Sequence, residues 1–197
     1  MPRLTDELRT RPTPAPAIVD LDGWSIERLE PDDAALLSQL LGLRGHRYIL
    51  QLPADEDALR PVLEGLSTQP WSMPLSIVRD DECAGIASTA LPSLRSLNTS
   101  VTALFVDPSV AALPLAMAIR HFFWNFPLHR MHTQIPDTDL TREYVSLFRS
   151  VGFVEEGRMV DHAVVGGQVF DVVVLGLLRR DFDAWCAEHE PRLALAP

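Results

Sequence analysis

The chain contains no lysine; all 17 of its basic residues are arginine. This pattern is expected of GC-rich coding bias and carries no mechanistic weight. Cysteine is nearly absent as well. Cys83 and Cys186 stand far apart without metal-ligand spacing, which predicts two reduced, packed thiols. There is no long apolar run. The longest candidate, Val101 to Phe126, is interrupted by Asp107, Pro108, Pro114, Arg120 and His121, short of the roughly 18 uninterrupted residues a membrane helix needs. The N-terminal residues Arg3, Asp6, Glu7, Arg9 and Arg11 leave no apolar segment of the signal-peptide kind, so the expected location is cytoplasmic, away from membranes. Positive charge is in short supply. The net charge of −10 and pI of about 4.9 disfavour broad binding to nucleic acid or anionic lipid. Internal repeats are missing. So are a Ser-His-Asp order, a metal cluster and a dinucleotide glycine motif, and no metal is expected.

The sequence does hold a core. Hydrophobic residues make up 47% and charged residues 22% of 197 residues, the balance of one globular domain. Pro2, Pro12, Pro14 and Pro16 predict a flexible arm over 1–20. A single domain is expected over 21–190, with 191–197 as a tail. Trp24, Ile26 and Leu29 mark a short strand. Pro31-Asp32-Asp33 opens a helix with the stripe Leu36, Leu37, Leu40, Leu41. A second helix from Asp55 turns Leu59, Val62, Leu63 and Leu66 inward. Strands are expected at Leu75–Val78, Ala84–Leu91 and Thr99–Val106, then a helix to Phe126 stopped by Pro127. Met131–Ile135 is a strand, and a helix through Tyr144, Val145, Leu147, Phe148 and Val151 ends at Gly152. Phe153–Val165 and Val169–Leu178 pair around Gly166-Gly167, and a helix with Phe182 and Trp185 closes the chain.

The run Leu147-Phe148-Arg149-Ser150-Val151-Gly152-Phe153-Val154-Glu155-Glu156-Gly157-Arg158 resembles the signature of GNAT N-acetyltransferases. It most resembles the subgroup that acetylates ribosomal-protein termini. Val106-Asp107-Pro108, Leu128-His129-Arg130-Met131, Asp161-His162 and Phe170-Asp171-Val172-Val173 agree in order. The resemblance implies an α/β fold, a mixed, mostly antiparallel seven-stranded sheet flanked by helices and splayed between its fourth and fifth strands. It also implies that the pantetheine arm of an acyl donor lies in the splay against Ala103, Leu104, Phe105 and Val106. The donor is then a co-substrate, acyl-CoA or another acyl carrier.

Two features depart from the family pattern. The glycine-rich loop that would cradle a pyrophosphate reads Ser109-Val110-Ala111-Ala112-Leu113-Pro114-Leu115-Ala116, with Leu113 and Leu115 at the small-residue positions. Pro114 also removes an N–H donor. The tyrosine that commonly protonates the leaving thiolate is Phe148, and Tyr144 lies one helical turn earlier on the same face. Thr141 replaces the asparagine that often opens this helix.

Amide formation needs a neutral amine, a polarised carbonyl and relief of the leaving group. Backbone N–H groups near Ala103 to Phe105 would polarise the carbonyl. Candidates for acid–base work are His132, His46, Tyr144 and Asp171, with Asp161 and His162 nearby; packing or solvated roles are open for each. Arg142 and Arg149, within a loose set with Arg44, Arg47, Arg179 and Arg180, are candidates for phosphate contacts. Three readings stand. One is an N-acyltransferase for a small-molecule amine. A second is a relative charged by a carrier such as aminoacyl-tRNA or acyl carrier protein. The third is a non-catalytic GNAT-like binding protein. A homodimer is compatible with all three.

Overall fold

The computed structural model describes residues 19–43, 46–49, 52, 55–68, 74–90 and 96–195, with backbone only at 47, 48, 67, 194 and 195. One mixed sheet runs through it. Strands β1 (Val19–Leu21), β2 (Trp24–Arg28), β3 (Leu75–Arg79), β4 (Glu82–Thr89) and β5 (Asn98–Phe105) form one half. Strands β6 (Arg130–Pro136), β7 (Val154–Val165) and β8 (Gln168–Leu178) form the other. The order is β1-β2-β3-β4-β5-β6-β8-β7, and every neighbouring pair is antiparallel except β5 with β6. Eight strands stand where seven were expected. The addition is β1, which pairs with β2 through a turn at Asp22 and Gly23, both at positive φ.

Helices cover both faces. α1 (Ala34–Gly42), α2 (His46–Ile49) and α3 (Glu56–Ser67) follow β2. Asp55 caps α3 by accepting the Ala58 N–H at 3.1 Å. The buried stripe Leu36, Leu37, Leu40 and Leu41 packs with Leu59 and Leu63 against Ile86 and Leu104, as the 3.6-residue spacing predicts. On the opposite face, α4 (Ala112–Asn125), α5 (Arg142–Ser150), α6 (Arg179–His189) and α7 (Pro191–Leu195) share a larger core with Val101, Ala103, Phe105, Met131 and Ile135. Strand alternation explains the partition: odd positions of β5 face α4 and α5, and Leu104 faces α1. The segment expected as a tail contributes a helix because Leu193 is buried and Arg192 pairs with Asp22 at 2.7 Å.

Gly85 matters to the site. It sits opposite Phe105, and a Cβ there would lie 2.5 Å from the Leu104 carbonyl oxygen and 2.6 Å from the Phe105 ring. Backbone cannot give way cheaply. Gly85→Ala is expected to cost about 2–3 kcal/mol by overpacking, read as a lowered midpoint in chemical denaturation. An unchanged midpoint would mean the two strands slide without penalty.

Candidate active site where two parallel strands part

The parallel pair β5 and β6 is joined only at Asn98↔Arg130, Thr99↔Met131 and Ser100↔His132. Both strands continue, β5 to Phe105 and β6 to Pro136, without further pairing. They part beyond His132, as the resemblance implies. The outer edges of both strands are paired, β5 to β4 and β6 to β8, so the gap is flanked by rigid sheet on both sides. The Val106 N–H donates to the Ala84 carbonyl on β4 at 2.9 Å. By alternation the N–H groups of Phe105 and Ala103 point the other way, into the gap.

At Phe105 that gap is closed by side chains. The Tyr144 hydroxyl, carried on α5, lies 3.0 Å from the Phe105 nitrogen and 3.1 Å from its carbonyl oxygen. It also lies 2.8 Å from His46 Nε2 on α2. His46 Nδ1 lies 2.6 Å from the Leu40 carbonyl oxygen, which only accepts, so Nδ1 carries the proton and Nε2 accepts. A chain follows: Phe105 N–H donates to the Tyr144 oxygen, Tyr144 O–H donates to Nε2, and Nδ1–H donates to Leu40. The two side chains come from opposite layers and meet through the parted strands. Burial holds the His46 imidazole below its ordinary pKa and raises that of the Tyr144 phenol well above its own. Both are neutral at pH 7. Phe148 is buried in an edge-to-face contact with Phe153, ring centroids 5.0 Å apart.

At the other end of the gap lies an open cleft of about 480 Å³. Ser100, Thr102, His132, Gln134 and His162 line it, with Ile49, Pro136, Val164 and Val172. His132 occupies the last rung before the strands part. Burial, and then the positive charge of Arg130, hold its pKa below the ordinary value, while Glu156 acts in the opposite direction. Arg130 and Glu156 form a two-pronged ion pair. Gly176, opposite His132 on β8, makes this possible: a Cβ there would fall 2.4 Å from a Glu156 carboxylate oxygen.

Asp171 does not enter the cleft lining. Strand β7 shifts register between Met159 and Ala163, and Asp161 takes a φ of 50°. The Asp171 carboxylate accepts the Asp161 N–H at 3.0 Å and so holds this bulge, which carries His162. Asp171→Ala is expected to loosen the bulge. Faster amide exchange at Asp161 and His162 in NMR, with little loss of global stability, is the outcome to look for; unchanged exchange rates would remove this role.

The remaining candidates are dispersed. Leu115 is fully buried and Leu113 packs partly against the core. The first turn of α4 is a poor anion seat. Pro114 has no N–H, Leu115 N–H is bonded to the Ala111 carbonyl at 3.0 Å, and Ala111 offers no side-chain cap. Only the Ala112 and Leu113 N–H groups remain, and the Asp107 carboxylate sits at the preceding turn, accepting from Ser109. Arg142 pairs with Asp139 at 3.1 Å, Arg149 with Glu155, Arg180 with Asp181 at 3.3 Å, and Arg179 donates to the Phe126 carbonyl at 3.2 Å. Arg44 and the Arg47 side chain lie outside the described residues. Cys83 and Cys186 are buried, and burial pushes the Cys186 thiol up to about 11. No group of three metal-ligating side chains occurs among the described residues. No described helix is long and apolar enough to cross a membrane.

No protein-family model matches the chain, and no curated protein matches it. Solved structures do. Spermidine N-acetyltransferase from Vibrio cholerae, in complex with CoA and spermine, superposes with a TM-score of 0.72 at 15% identity, covering 82% of this chain and 99% of that one. Ribosomal-protein-S5-alanine acetyltransferase from Vibrio fischeri gives 0.69 at 13% identity, covering 83% and 97%. At such identities the likeness speaks for architecture. Together with the parted β5 and β6, it shows that this chain has the fold of the GNAT acetyltransferases.

Proposed function

We propose that the chain is a GNAT-fold N-acyltransferase that forms an amide on a small-molecule amine in the cleft at His132. The observation that carries this is the gap between β5 and β6, which leaves backbone groups of β5 such as the Ala103 N–H unpaired with β6, beside a cleft lined by the His132 imidazole. The structural neighbours named above act on amines, and one is recorded with CoA, which supports an amine acceptor and a thioester donor. In this reading the carbonyl oxygen is received by strand N–H groups. The amine nitrogen attacks the carbonyl carbon, the C–N bond forms, and His132 takes the amine proton. The C–S bond then breaks, and the imidazolium returns that proton to the departing thiolate. Tyr144 and His46 hold the far end of the gap. The raised pKa of the phenol makes it a weak acid for the thiolate.

The start of α4 favours a second reading within the same chemistry: the donor is recognised by its acyl thioester or ester and not by a nucleotide pyrophosphate. A carrier-borne donor, such as an acyl carrier protein or aminoacyl-tRNA, meets that condition. Acetyl-CoA and S-acetyl-N-acetylcysteamine, which lacks the nucleotide, provide the comparison. The kcat/KM values are expected to agree within about tenfold, because a bare helix N-terminus contributes only about 0.3–1 kcal/mol. A hundredfold preference for acetyl-CoA would show a nucleotide site elsewhere. No transfer from either donor to any amine would end the transferase reading.

A further inference from the structure

The lining of the His132 cleft says what kind of amine it accepts. Among the described residues its polar side chains are two hydroxyls, Ser100 and Thr102, one carboxamide, Gln134, and two imidazoles, His132 and His162. No carboxylate is among the described lining residues. The charges that act on His132, Arg130 and Glu156, are paired with one another. A molecule with a second ammonium would find no counter-charge among the described lining residues and would lose hydration without replacement. A hydroxylated molecule would find partners of both kinds, since hydroxyl, amide and imidazole groups each donate and accept. The apolar residues Ile49, Pro136, Val164 and Val172 complete the walls and suit the C–H faces of a ring. The cleft of about 480 Å³ falls within the range of small-ligand sites.

We infer that the acceptor is a monoamine with an uncharged, hydroxyl-rich body, the chemistry of an amino sugar. This rests on the transferase reading for the amine, but the recognition half stands on the cleft alone.

Two experiments separate those halves. In the first, glucosamine, spermidine and tyramine are compared as acceptors at pH 8 with acetyl-CoA and with S-acetyl-N-acetylcysteamine. Glucosamine is expected to exceed both others at least tenfold in kcat/KM. Gln134→Glu, which places a carboxylate at an exposed position in the cleft, is expected to shift the spermidine-to-glucosamine ratio at least tenfold toward spermidine. Preference of the unmodified protein for spermidine overturns the uncharged-body inference, and preference for tyramine overturns its hydroxylated half; both leave the transferase reading intact. In the second, glucosamine is titrated against the protein while the imidazole NMR signals of His132 and His162 are followed. Saturable shifts without any acyl transfer would keep the ligand class and remove the transferase reading. No shift at 10-fold the concentration that saturates any competing amine would overturn the inference.

Discussion

His132→Ala is expected to lower kcat/KM for amine acylation by about 10²–10⁴-fold while changing stability by less than about 1 kcal/mol. The residue is half-buried at the mouth of a cleft and packs no core. The pH dependence offers a sharper readout. A base must be neutral, so activity should fall as pH drops through the imidazole pKa. Burial and Arg130 hold that pKa below its ordinary value of about 6.5, which places the acid limb below that pH. Arg130→Gln removes a charge that lowers the pKa and frees Glu156, which raises it. Both changes move the limb upward in pH. The proposed role is lost if the alanine variant keeps full activity, or if the limb stays in place when Arg130 is neutralised.

Tyr144→Phe is expected to cost about 2–4 kcal/mol, because it deletes one oxygen and strands two buried groups, the Phe105 N–H and His46 Nε2, each worth about 1–3 kcal/mol unsatisfied. Tyr144→Phe combined with His46→Ala should cost less than the two single changes added together, since one contact cannot be lost twice. Strict additivity in that cycle would show that the two side chains do not act as a unit. Proton linkage gives an independent check. The folded protein holds the His46 imidazole neutral, with its pKa lowered mainly by burial, while the unfolded chain titrates near 6.5. The unfolded state therefore binds more protons below that value. This contribution is present above about pH 6.5 and is lost as pH falls toward the folded pKa. His121 and His132 have the same sign, so His46→Gln should make the fall shallower without abolishing it.

The two expected results probe opposite ends of one gap. At His132 the strands have just parted and a cleft is open to ligand. At Phe105 the backbone group that faces the gap already has a partner. A donor arm that paired along β5 as far as Phe105 would have to displace Tyr144 from its hydrogen bonds to Phe105 and His46. A donor that reaches only to Ala103 would not.

Much of the fold was legible in residue pattern. The stripe Leu36, Leu37, Leu40 and Leu41 could only bury one helix face, and the β-branched run from Thr99 could only extend. The sites were legible in part. His132, His46 and Tyr144 were all named as candidates, yet nothing in their spacing separates the open cleft at one from the hydrogen-bonded chain at the other two. His46 and Tyr144 are 98 positions apart. The Asp171 carboxylate looked like acid–base chemistry, and it holds a bulge whose only sequence trace is the short Asp161-His162 step. Arg142 and Arg149 looked available to phosphate, and each faces a carboxylate close in sequence, Asp139 and Glu155. The signal that could have been read there was local charge pairing. Gly176 belongs to the Leu175-Gly176-Leu177-Leu178-Arg179 run that resembles the family, but the reason for a glycine there is the passage of Glu156 across β8.

The residue pattern alone determined most of the helices and strands, though not β1, α2 or α7, that Pro114 and the leucines beside it make a poor seat for phosphate, and that Phe148 has no proton to give. These are properties of single side chains and of periods of two and 3.6 residues, and they need no neighbour to be true. Only the tertiary structure decided that two parallel strands separate after Ser100 and His132, that a tyrosine and a histidine from opposite layers meet through the opening, and that no carboxylate is among the described residues of the remaining cleft. Those facts depend on which distant groups share one small, water-poor volume. There a hydrogen bond made or missed outweighs the preferences that local sequence expresses.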